Sequence, residues 1–351
     1  MQEIEFLEQN NWIKKNVIFC VLTFLWSEVV LSQWKLDPLI HTQVLKGIDL
    51  ILRQQYNQAD SLYRVLAQQF PDHPVGYLYQ AAVMQAYAID FDNPIPRSKF
   101  DSLLSLGMKT ARKLGSPWRE YFLGTAEGHD AYERAERGDW FGGVGTGIAS
   151  ASHFEKVLEN DSTFYDAYIG LGTYYYWRSR KTALIHWLPF VSDDRELGAK
   201  MLIIGANRSE YNRFAAISSL ISIYTDAGDY EHAEEWSRRG LQFYPDNRVF
   251  WWGLATALDR NKHTDDAISA YQNLLRCLEH SNAPHPYGEI VCRLNLSKLK
   301  MTKGDSSDVS LHLKKILTYE KEVFPENLTE RVKAKFLSAR ALLLDIERIG
   351  H

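Results

Sequence analysis

The stretch FAAISSLISIYTDAGDYEHAEEWSRRGLQFYPDNRVFWWGLATALDRNKHTDDAISAY, Phe214 to Tyr271, states one pattern twice at an interval of 34 residues. Ile217, Leu220, Ile221, Tyr224, Ala233 and Ser237 return as Trp251, Leu254, Ala255, Leu258, Ala267 and Tyr271, every pair at the same offset. The first four positions of each set fall at i, i+3, i+4 and i+7, which is one face of an α-helix. The remaining two lie four residues apart on a second helix. Alanine where the two helices meet lets them approach closely, and Pro245 stops the second helix of one unit before the first helix of the next. Two antiparallel helices per unit follow, with the units stacked.

The order of these positions resembles the tetratricopeptide repeat family. That resemblance implies an all-α solenoid of helix hairpins with a concave surface suited to a peptide or protein segment. Units 214–247 and 248–281 carry it most clearly. A partial repeat, 40–73, shows Tyr56, Ala59, Tyr63, Leu66 and Pro71, and another, 165–207, shows Tyr168, Leu171, Gly172 and Tyr175. Between them, the loop Phe91 to Pro96 excludes helix through Pro94 and Pro96, and the helix from Trp118 puts Glu127 where the repeat wants an apolar residue. Gly143, Gly145 and Gly147 lack both a preceding strand and a Gly-Lys-Ser/Thr sequence, so they are expected to serve close helix packing rather than phosphate binding. Tyr165 to Gly198 is also similar to the tetratricopeptide-repeat-39 type. Thr329 starts a last helix, 328–349, whose inner stripe is Val332, Phe336, Ala339, Leu343 and Ile346. Its outward Arg331, Lys335, Arg340 and Glu347 are expected to cap the array. The fold expected for residues 33–351 is an α-solenoid of about seven antiparallel helix hairpins plus this capping helix.

Composition agrees with a packed repeat array. Hydrophobic residues make up 45% of 351, and a formal charge of −4 offers no basic excess to track phosphates, so nucleic acid is not an expected partner. Lys14 and Lys15, the apolar run Val17 to Trp26 and the small Ser32 read as a signal peptide over residues 1–32. The expectation is an exported protein of the periplasm or cell envelope, with an N-terminal membrane anchor as the alternative. Cys277 and Cys292 lie almost symmetrically about Pro284 and Pro286, so they are either two buried thiols or a disulfide pair, and no zinc spacing is present.

No metalloprotease, nucleophile-elbow or phosphate-loop motif occurs, and neither a metal nor a cofactor is expected. The unusual feature is the insert Lys181 to Asp193, with Leu184, Ile185, His186, Trp187, Leu188, Pro189, Phe190 and Val191, set between the aromatic end of one helix and the start of the next. Large apolar anchors flanked by arginine are the residue mix of binding hot spots. Tyr176, Trp177, Arg178, Arg180, Trp187, Phe190 and Trp252 are therefore the candidate partner-binding residues of a non-catalytic adaptor. Two other readings compete: a membrane-apposed assembly factor using residues 184–191, and an envelope enzyme built on His186 and Asp194.

Overall fold

The structure is a computed structural model, and it describes residues 36–182 and 192–349. The chain divides into Met1–Pro38 and Leu39–His351; the expected signal peptide lies outside the described residues. Fifteen α-helices are present among the described residues, and no strand. They are α1 (Pro38–Leu52), α2 (Tyr56–Gln69), α3 (Val75–Phe91), α4 (Arg97–Ala111), α5 (Trp118–Glu136), α6 (Trp140–Asn160), α7 (Ala167–Lys181), α8 (Arg195–Arg208), α9 (Arg213–Ala227), α10 (Tyr230–Phe243), α11 (Arg248–Arg260), α12 (Thr264–Glu279), α13 (Pro286–Thr302), α14 (Val309–Thr318) and α15 (Glu326–Ile349). Seven hairpins from α1/α2 to α13/α14, followed by the single helix α15, make an all-helical repeat array. None of these helices is long and apolar enough to cross a membrane.

The repeat seen in sequence is a repeat of burial. Ile217, Leu220, Ala233 and Ser237 are fully buried, as are Ala255 and Ala267, while Leu254, Leu258 and Tyr271 are buried to within a few per cent. Leu254 and Ala267 share one core cluster between α11, α12 and α13. Close approach uses glycine where alanine is still too large: a Cβ on Gly198 would stand 2.6 Å from the Gly172 carbonyl oxygen, and one on Gly172 would stand 2.7 Å from that of Gly198.

Six described hairpins turn through one residue of left-handed backbone: Gln54, Asp92, Gly138, Gly228, Lys262 and Gly304, with φ between 52° and 80°. Gly228 and Lys262 occupy equivalent positions of the two clearest repeats, so the turn geometry persists where the glycine does not. A side chain in this region is strained. Replacing Lys262 with Gly is expected to raise stability by about 0.5–1 kcal/mol, net of the greater freedom glycine gives the unfolded chain. Chemical denaturation with an unchanged m-value would read it.

The first two hairpins are held against the N-terminal ends of α9, α11, α13 and α15. His41 Nδ1 lies 2.8 Å from the Tyr211 hydroxyl, Tyr244 donates to Asp49 at 3.2 Å, and the Asn247 amide donates to the Leu52 carbonyl at 2.8 Å. Asp90, at the end of α3, is fully buried. Arg248 grips both its carboxylate oxygens, one at 3.1 Å, and the Tyr56 hydroxyl donates to it at 2.9 Å. His285 Nδ1 accepts from the Gly288 amide at 3.2 Å, so its Nε2–H donates to the Asp90 carbonyl at 2.7 Å, with the ring stacked on Phe91 at 4.4 Å. Asn327 and Arg331 of α15 reach Asp92, each at 3.1 Å. The sequence pattern led to an open curved face, but the N-terminal ends of these later first helices are covered by the first two described hairpins.

The last helix also departs from expectation. Val332 and Ala339 are buried and Phe336, Leu343 and Ile346 pack on the α13/α14 core, but Leu337 and Leu344 are exposed at 64% and 55%. The outward face is therefore not a purely charged cap; the Glu347 side chain lies outside what is described.

Candidate protein-interaction surface

Four exposed apolar side chains gather at the start of α6. Asp139 starts this helix by accepting from the Gly142 amide at 3.1 Å, and that bond and Arg134 hold its carboxyl below the ordinary value. Beyond it Trp140, Phe141, Val144 and Ile148 are exposed at 49%, 95%, 60% and 54%. Phe141, Val144 and Ile148 stand at i, i+3 and i+7, so they form one face. Gly145 opens onto the same side, where an added Cβ would meet nothing within 4 Å. The expectation of close packing at all three glycines is thus corrected there: Gly143 does lie against α5, 3.2 Å from the Ala131 carbonyl for an added Cβ, whereas Gly145 faces solvent. Apolar residues scattered singly need no explanation, but a contiguous face does.

The end of α7 adjoins this face. Lys181 places its ammonium 4.3 Å from the centroid of the Trp140 ring, a cation–π contact. The nearby arginines are occupied otherwise. Arg178 pairs with Asp194 and lies over the rings of Tyr174 and Tyr175, and Arg180 Nε bonds Asp226 at 2.8 Å. Lys181 thus places a cation beside the start of the apolar face.

Of the sequence candidates, Tyr176 is corrected. It is 3% exposed, in the core of α7 to α11, with its hydroxyl 2.9 Å from the Ile223 carbonyl and 2.8 Å from Asp226. Burial and the neighbouring carboxylate push its phenol up. Trp177 is half-buried on the same core, and Trp252 is half-buried against the next one, edge-on to Tyr271. Trp187 and Phe190, with His186 and the rest of 183–191, lie outside the described residues. Asp194 is engaged by Arg178 and by Ser192 at 2.6 Å, and its amide donates to Ser179 Oγ at 2.8 Å. That is the environment of a held helix start.

Cys277 and Cys292 form no disulfide among the described residues. Both are free thiols, Cys292 fully buried and donating to the Tyr271 carbonyl at 3.3 Å, and burial pushes both thiols up. Glu127, out of place in the repeat pattern, has a local partner. His153 Nε2 lies 3.6 Å from it, while His153 Nδ1 lies 2.6 Å from Glu120, which Arg119 also contacts at 2.9 Å. Burial raises the Glu127 carboxyl; at Glu120 burial is outweighed by hydrogen bonds from Arg119 and His153, which leave it lowered. No group of three or more His, Cys, Asp or Glu side chains suited to a metal ion occurs among the described residues. The α6 face was missed in sequence although its signal is present: Phe141, Val144 and Ile148 have the helical period, interleaved with the glycines.

No protein-family model matches the chain, and no curated protein matches it in sequence. Solved structures do show likenesses. One is to the C-terminal part of a TPR repeat-containing protein from Cytophaga hutchinsonii, at 13% identity and a TM-score of 0.40 over 80% of this chain and 96% of that one. Another is to the assembly chaperone of RpL4, Acl4, at 12% identity and a TM-score of 0.39 over 79% of this chain and 99% of that one. A third is to the human IFIT1 dimer with m7Gppp-AAAA, at 13% identity and a TM-score of 0.34 over 88% of this chain and 76% of that one. All three accompany, and do not replace, the stacked hairpins seen directly in this chain.

Proposed function

We propose that this chain is a non-catalytic protein-interaction scaffold whose α6 face holds an apolar segment of another protein, with an acidic residue of that segment opposite Lys181. The observation that carries this reading is the exposure of Phe141, Val144 and Ile148 on one helix face, with Lys181 at its edge. A face carried on stacked helices loses little conformational entropy on binding, and an exposed aromatic beside a cation is the kind of anchor that dominates small interfaces. The test compares partners crosslinked to the full chain in its source cells with those of three variants. Phe141→Asp is expected to weaken one specific partner by about 30-fold, the effect of about 2 kcal/mol at a hot spot, and Lys181→Glu to weaken the same partner. Leu311→Asp, at an exposed apolar site on α14, is expected to leave it unchanged. If every partner of the unmodified chain survives Phe141→Asp, the α6 face is not the contact surface.

A further inference from the structure

The outer face of α15 carries a second, independent message. Glu330, Ala334, Leu337, Ala341, Leu344 and Arg348 are all exposed, and they follow one another at steps of 4, 3, 4, 3 and 4 residues. That spacing is the narrow seam by which one helix packs along another. The opposite side of α15 already fills the array's own core, with Leu328, Val332 and Ala339 buried against α13 and α14. Arg340 is drawn off to Glu320 at 2.6 Å, away from the seam.

The order of residues along this seam reads as its own complement when reversed. We infer that α15 pairs antiparallel with α15 of a second copy of this chain about a two-fold axis. In that register Glu330 meets Arg348 of the other copy, Ala334 meets Leu344, and Leu337 meets Ala341, each contact occurring twice as two-fold symmetry requires. Every leucine has an alanine to sit over, and Glu330, already bonded at 2.7 Å by Lys333 of its own helix, meets a guanidinium as well. Lys333 and Asp345, both exposed, fall opposite one another on the flank of the same register. A partner of unrelated sequence gives no reason for leucine, alanine and both charge signs to be placed symmetrically about one point. The seam, from Glu330 to Arg348, is about 27 Å long at 1.5 Å per residue, so the contact is at the small end of specific interfaces and its dissociation constant is on the order of micromolar.

Sedimentation equilibrium of the full chain over a concentration series tests this. The expected result is a reversible monomer–dimer equilibrium that Leu337→Glu weakens by about tenfold or more, since the leucine is lost twice per dimer. Glu330→Arg alone and Arg348→Glu alone each weaken it severalfold, and the two together in one chain restore it, because the reversed charges again meet their opposites. All these positions are exposed, so far-ultraviolet circular dichroism should be unchanged. A chain that stays monomeric throughout, a dimer indifferent to Leu337→Glu, or a doubly reversed variant no better than the single ones would each overturn the pairing.

Discussion

Asp90→Ala is expected to destabilise the fold by about 3–5 kcal/mol, the range for removing one partner of a buried ion pair and leaving the other charge uncompensated. The Asp90 and Arg248 side chains are 0% and 6% exposed, so the guanidinium is left buried without its counter-charge once the carboxylate is gone. The variant also strips the Tyr56 hydroxyl of its acceptor. Asp90→Asn keeps the shape and one acceptor oxygen but not the charge, so a smaller loss is expected. The pair has a pH signature. Burial on its own would raise the Asp90 carboxyl, but the neighbouring His285 ring and the hydrogen bonds from Arg248 outweigh it and hold it below the ordinary value. A carboxyl depressed on folding contributes stability that is present above its unfolded-state pKa and is lost as pH falls through the folded-state one. Denaturant melts on an acid pH series should therefore show a loss in the unmodified chain that is smaller in Asp90→Asn.

Asp166→Ala is expected to cost about 3 kcal/mol or more, because one buried carboxylate serves a whole connection. Asp166 precedes α7 and accepts from the backbone amides of Glu210, Tyr211 and Asn212 at 3.2, 3.0 and 2.9 Å, and from the Ser209 hydroxyl. These four residues form the turn from α8 to α9, so Asp166 ties the fourth hairpin to the fifth. Burial pushes its carboxyl up and the four donors pull against that. Without the carboxylate the buried amides lose their acceptor, which is dearer than the mean value of a hydrogen bond. Asp166→Asn should recover less than half of the loss, since its amide nitrogen would face donors. The readout is denaturant unfolding together with hydrogen exchange, where the amides of residues 210–212 should exchange faster than in the unmodified chain while those of α11 and α12 change only with global stability.

The hairpin stack was legible because its information is local. Leu220, Ala233, Leu254 and Ala267 mark which faces meet, and Pro245 marks where a unit ends; the structure buries all four apolar positions. What was not legible depends on groups far apart in sequence. Nothing near Asp90 announces Arg248, 158 residues later, and Asp166 gives no sign of a turn more than forty residues away. The left-handed turns were half visible, since Gly138, Gly228 and Gly304 suggest them while Gln54, Asp92 and Lys262 do not.

The candidate surface was harder for a related reason. Tyr174, Tyr175, Tyr176 and Trp177 put aromatic rings all the way round one turn of α7, which gives periodicity nothing to choose between there. One residue of rotation separates Tyr176, buried beneath Ile223, from Tyr175, whose hydroxyl reaches Glu155 at 2.8 Å on an exposed side. On α6 the glycines drew the reading toward packing, although only Gly143 of the three lies tight against a neighbour. On α15 the charges Arg331, Lys335, Arg340 and Glu347 suggested a polar cap, while Leu337 and Leu344, which fall among them in sequence, are exposed.

The closing of the first hairpins onto the later ones is the claim on which the architecture turns, and a double-mutant cycle between Asp90 and Arg248 measures it directly. The contact requires that Asp90→Ala and Arg248→Ala be strongly non-additive, with a coupling above about 2 kcal/mol and a double variant no less stable than the worse single one. Additive losses, within about 0.5 kcal/mol, would mean that the two side chains do not meet and that the N-terminal hairpins lie elsewhere.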